Sequence, residues 1–303
     1  MVRLGHMLRA KGLAKGVYNV ARPAPPARPG EASKRGQRAA ERAPWDRPIV
    51  FMPAFLVATT LPHRARPGTE FSRVNGKVQT TLVSTKRAGL PFGIYPRLIV
   101  IYLATAAKRT GIRRLMVARS INELLGQMGI SDSGGKGGPA TLARNQLDRL
   151  CTTTFVTTHN SKYGGHKLGV ADKWLEKAHG GLEVELSERF YDQATKSAVP
   201  LDPEILRAVR RSPLSIDTYG WLTYRMNTLQ EPTAITWPQL QNQFGSEYRN
   251  ARQFRWRFRQ AVERVRAAWH GELGIEIQER RVILTPGPPS VGSRIERSNA
   301  KGH

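Results

Sequence analysis

The chain has 303 residues, enough for one large domain or for two of ordinary size, each with its own core. Its 48 Lys plus Arg against 23 Asp plus Glu give a formal charge of +25, while 40% hydrophobic residues and six Trp are the composition of a chain that folds. Such a field gathers phosphate-bearing polymers, so nucleic acid is the expected partner and an anionic membrane the weaker one. A single cysteine, Cys151, excludes an intramolecular disulfide and a Cys-rich zinc site. The longest apolar run, Leu98 to Ala107, is about half of the roughly 20 residues a spanning helix needs. No membrane segment is expected, and the expected compartment is the cytoplasm.

Residues 1–48 carry 11 Lys plus Arg and 3 Asp plus Glu, with a Pro-rich stretch from Arg22 to Gly30, and read as a disordered basic arm. Pro23, Pro25, Pro26 and Pro29 would break the amphipathic helix of an organellar transit peptide. From Ile49 to Thr60 the residues turn β-branched and aromatic, and Asn75-Gly76 between Phe71–Val74 and Lys77–Ser84 predicts a two-residue hairpin. Helical spacing of Leu98, Ile101, Tyr102 and Thr105 predicts a helix over 94–108, ended by Gly111. A strand over 115–118 follows. The capping box Ser120–Glu123 opens a helix to about Met128, and a glycine-rich turn leads to Pro139 and a helix to Leu150. Thr152–Thr158 and Lys167–Ala171 read as a hairpin.

Helices then recur over 203–211, 214–227 and 237–244, with a long one over 248–269, before a hairpin of Ile275–Ile277 and Arg281–Leu284. Helix, strand, helix, helix and hairpin form the layout of a winged helix-turn-helix. The expected fold is α+β, mainly helical: the arm (1–48), a first winged-helix domain with an N-terminal β-hairpin (49–195), a second (196–291) and a flexible tail (292–303). No residue-level repeat links the two.

On the long helix Phe254, Phe258, Val262, Val265 and Trp269 share one apolar arc, and Tyr248, Arg252, Arg255, Arg259 and Arg266 lie along an adjacent edge. An isolated surface Arg usually shields the core with its stem. Four in register, with Glu263 as the one acid of the helix, favour an anion, because like charges close together destabilise a helix. Arg249 just before them is a candidate contact too, whereas Arg257 and Arg264 lie elsewhere and suit phosphate clamping or packing. On the helix from Pro139, the expected inward residues are Leu142, Ala143, Leu147 and Leu150. Thr141, Arg144, Asn145 and Asp148 point outward, with Gln146 and Arg149 at the margins. Arg reads guanine and Asn or Gln reads adenine in the major groove, so this face has base-reading chemistry.

Lys136 in Gly134-Gly135-Lys136-Gly137-Gly138 lacks the following Ser or Thr and the preceding strand of a P-loop, and better suits a DNA phosphate. Cys151, His159, His166 and His179 contain no short-spaced ligand pair, no His-x-His accompanies a nucleophilic Tyr, and no close carboxylate group suits two metals. A non-enzyme without metal or cofactor is expected.

Five strings carry a family resemblance: Leu90–Arg97, Ser133–Gly137, Leu186–Tyr191, Arg211–Arg225, and Gln243–Gly245 with Phe254-Arg255. In this order they resemble the RepA-type plasmid replication initiators of bacteria, from about Ile49 to Val291. The resemblance implies binding to repeated double-stranded DNA sites (iterons) at a plasmid origin and help in melting an A·T-rich segment. It also implies recruitment of the host replication initiator and replicative helicase, and control of copy number through homodimers. A transcriptional repressor of the same fold is the alternative.

Overall fold

The computed structural model describes residues 49–131, 135, 137–159, 164–177, 180–245 and 247–291. The basic arm, the tail and Lys136 lie outside the described residues. Strand β1 (Val50–Pro53) opens the fold, and Pro53 then caps a short helix α1 (Ala54–Ala58), so the β-branched run divides where proline removes a ladder donor. Strands β2 (Glu70–Asn75) and β3 (Val78–Val83) form the expected hairpin, with Gly76 at φ 60°. The register pairs Asn75 with Val78, so the loop is Gly76-Lys77, one residue later than the Asn-Gly signal suggests.

Helix α2 (Ile94–Thr110) is buried nearly all round and ends on Gly111 in the left-handed region at φ 67°. Strand β4 (Arg114–Ala118), helix α3 (Ile121–Gln127) and helix α4 (Pro139–Cys151) follow. The Ser120 hydroxyl accepts from Glu123 N, while the Glu123 carboxylate reaches back to Arg119 N rather than to Ser120. Strands β5 (Thr154–His159) and β6 (Gly165–Gly169) form the expected hairpin, but β5 pairs with β3, giving a four-stranded sheet β2-β3-β5-β6. The partner of β4 is β8 (Leu182–Leu186), which also pairs with β7 (Ala171–Glu176), two strands beyond those expected.

Helix α5 (Glu188–Lys196) leads to β9 (Ala198–Leu201), which pairs antiparallel with β1. Helices α6 (Pro203–Val209) and α7 (Pro213–Thr228), strand β10 (Thr233–Thr236), helices α8 (Trp237–Phe244) and α9 (Ala251–Ala268) and strands β11 (Ile275–Ile277) and β12 (Arg281–Leu284) complete the chain, with sheet order β10-β12-β11. The same series therefore occurs twice, α2, β4, α3, α4, β7, β8 and α7, β10, α8, α9, β11, β12, with β5 and β6 inserted after α4 in the first and the last strand of each series between the other two. Twelve strands stand beside nine helices among the described residues, a mixed α+β fold. No described helix is long and apolar enough to cross a membrane.

The first helices of the two series, α2 and α7, are joined by a buried ion pair. Arg97 Nε and Nη2 each lie 2.7 Å from an Asp217 carboxylate oxygen, with the two side chains 0% and 2% exposed. Its other N–H groups donate to the Leu61, Pro62 and Gly93 carbonyls, so all five guanidinium donors are used. His63 places Nε2 3.2 Å from Asp217 and Nδ1 2.7 Å from Glu247, and Arg73 lies 3.7 Å from Glu247. Burial alone would raise the carboxyl pKa values. For Asp217 the Arg97 charge, and for Glu247 the His63 hydrogen bond, reverses this and holds the group below its ordinary value.

Asp217→Ala, which leaves Arg97 buried without its counter-charge, should cost about 3–5 kcal/mol in denaturant unfolding. With both folded pKa values lowered, the carboxylates contribute stability that is fully present above their unfolded-state values of about 4. It is lost as pH falls through the lower folded values. Unfolding titrations across the acid range should show wild-type stability dropping below about pH 4, with a shallower fall in Asp217→Asn.

Candidate nucleic-acid interface

Helix α9 begins where the Asn250 side chain accepts from Arg252 N at 2.8 Å, three residues after the expected start. Its buried residues are Phe254, Phe258, Ala261, Val262 and Val265. Phe258 stacks edge-on with Trp221 and Trp237, and Phe254 meets Tyr248 at 5.6 Å. The approach to α8 is close: a Cβ on Gly245 would sit 2.3 Å from the Phe254 ring. Aromatic packing thus fixes the rotation of α9 and decides which side faces water.

Arg249, Arg252, Arg255, Arg259 and Arg266 are all exposed. The guanidiniums of Arg255 and Arg259 stand 5.8 and 5.6 Å over the buried Trp237 ring, whose indole N–H donates to the Glu279 carbonyl. Trp237 is therefore a platform for two arginines, a role that its sequence position as a helix opener does not reveal. Among the described residues Arg249, Arg252, Arg255 and Arg259 have no carboxylate partner. Arg266 differs: it lies 3.5 Å from Glu263 and donates to the Ile275 carbonyl, so it is tied back to the hairpin. Tyr248 precedes the helix and packs half-buried against Phe254 and His63, off the arginine edge.

On α4, Thr141 and Asn145 are exposed as expected. Arg144 Nε and Nη2 bind the Glu176 carboxylate of β7 at 2.7 and 2.9 Å, which raises the Arg144 pKa and lowers that of Glu176. Asp148 accepts from the Trp174 indole. Arg149 donates to the Leu90 carbonyl and stacks over Phe92, while Gln146 is buried and accepts from Phe92 N. Leu142 does not face inward: it is 42% exposed, because β7 and α2 cover the neighbouring side of α4. The α4 surface is thus a mixed polar face with one buttressed arginine, whereas α9 presents a freer cationic edge.

The described residues from Leu90 to the first turn of α8 also carry the family signal. Residues 90–239 match the family model for plasmid-encoded RepA protein. This region, just under half of the chain, belongs to that family of plasmid replication proteins. The matched region contains α4 but ends before α9, so the arginine edge is described by the fold alone. Among solved structures the chain is similar to the crystal structure of selenomethionine derivatives of domains 2 and 3 of RctB. Identity is 14%, coverage is 77% of this chain and 96% of that one, and the TM-score is 0.49. A comparison with curated proteins finds no match.

Gly245→Ala should force the Phe254 ring and α9 apart and lower stability by about 1–3 kcal/mol in thermal or denaturant unfolding. Glu176→Ala removes an exposed pair and should change stability by less than about 1 kcal/mol in the same assay.

Proposed function

We propose that this protein is a non-enzymatic plasmid replication initiator that binds repeated double-stranded DNA sites at a plasmid origin. It would do so with two winged helix-turn-helix units, over 49–195 and 196–291. The observation that carries the reading is the edge of α9, where Arg249, Arg252, Arg255 and Arg259 have no carboxylate partner among the described residues, at the same place in the second series that α4 holds in the first. In a winged helix-turn-helix the third helix lies in the major groove. Arg252, Arg255 and Arg259 would contact DNA from α9, with Arg249 and Arg266 near its two ends. From α4 the contacts would be Thr141, Arg144 and Asn145, with Arg149 at the margin and Lys136 on a phosphate.

Arg144 suits this role with Glu176 in place. The carboxylate engages Nε and Nη2, and Nη1 stays free to reach a guanine. Opening of an adjacent A·T-rich segment, contact with the host replication initiator and helicase, and a homodimeric state belong to the same proposal through the family.

Arg255→Ala should weaken binding to the origin duplex by about 1–3 kcal/mol if the side chain meets a base, and reduce the salt slope by about one if it meets phosphate. Gel-shift titration at several salt concentrations reads both, and wild-type affinity in Arg255→Ala and Arg259→Ala alike would refute the α9 interface. Supplying the protein in trans to a plasmid that carries only the candidate origin should support replication, and repression without replication would refute the initiator role.

A further inference from the structure

Trp256 is the large apolar side chain with the greatest exposure among the described residues, at 50%, and neither the hydrophobic core nor the arginine edge includes it. At about 100° per residue it stands about 180° from the centre of the buried arc of Phe254, Phe258, Ala261, Val262 and Val265. It therefore projects straight away from the body of the protein. Arg252, Arg255 and Arg259 lie on one flank of it and Arg257 on the other, with Arg264 farther along the helix and donating to the Ser215 hydroxyl of α7. The Arg257 guanidinium lies 4.7 Å over the indole, covering one face of the ring and leaving the other face and its edge open.

A helix seated in the major groove has a phosphate strand on either side and base edges beneath it. Arginine on either flank suits the phosphates, and Trp256, with Gln253 and Gln260 beside it, lies between them toward the bases. In a duplex the base faces are already stacked, so an apolar side chain meets edges. The apolar group on those edges is the C5-methyl of thymine. We infer that Trp256 is a specificity-determining residue that packs its indole on thymine methyl groups in the major groove of the bound site. This rests on the reading of α9 as a DNA-contacting helix and names the base that it selects.

The test uses the full chain and a duplex that the wild-type protein selects from a random-sequence pool, prepared once with thymine and once with deoxyuridine at every thymine. Removing one buried methyl group should weaken wild-type binding about fourfold. Trp256→Ala should bind the thymine duplex about as weakly as wild type binds the uracil duplex, and should not distinguish the two. Arg255→Ala should bind both duplexes more weakly while keeping the wild-type preference between them. Wild-type indifference to uracil, or an undiminished thymine preference in Trp256→Ala, would overturn the inference while leaving the α9 interface standing. Unaltered binding by Arg255→Ala and Arg259→Ala would instead remove the interface itself.

Discussion

The Arg97–Asp217 pair is the contact on which the relation between the two helical series depends. Each partner lies in the first helix of its series, both are withdrawn from water, and the guanidinium has no donor left over. Burying such a pair gives little net stabilisation compared with an apolar contact, but breaking it is costly because the survivor has no water to turn to. The arrangement favours a single docking geometry over sliding alternatives. His63, Arg73 and Glu247 extend it from the segment after α1 to the segment before α9. The network thus reaches from α2 to within a few residues of the arginine edge.

Two different devices hold cationic side chains in place on the surface helices. On α4, a carboxylate from β7 grips Arg144 and a backbone carbonyl grips Arg149. On α9, Arg255 and Arg259 stand over an indole face, which orients them without neutralising them. An aromatic platform is the better device where the charge must remain available to an anion, since a carboxylate partner would cancel part of the local potential.

Much of the architecture was legible in local signals. Helix α2 follows from its apolar spacing and its terminal glycine, and α8 from Thr236 with Gln239, which form a full capping box. The final hairpin lies where its β-branched residues put it. The β7–β8 pair was harder, because Asp172, Lys173 and Glu176 make β7 look like a polar loop. Leu182-Glu183-Val184-Glu185-Leu186 does alternate, however, and its inward residues are buried while both acids face out. The partner of β5 was beyond reach, since pairing with β3 joins residues that local periodicity cannot relate. At the candidate site, the arginine edge follows from helical spacing, but the Trp237 platform and the Glu176 buttress depend on contacts between separate elements. Arg97 and Asp217 both sit inside the family strings, yet 120 positions separate them and nothing local announces the bond.

The repeated series has a geometric consequence for the proposed role. If α4 and α9 are the DNA-contacting helices proposed above, the docking of α2 on α7 would hold them at one spacing rather than leave them to swivel independently. B-DNA brings the same groove back to the same face about every 10 base pairs. Such a fixed spacing would accept one phase of the double helix: half a turn of extra DNA inside a site would carry one groove to the far side of the duplex, out of reach of its helix. Whole turns between neighbouring sites would keep successive molecules aligned along a single face of the origin.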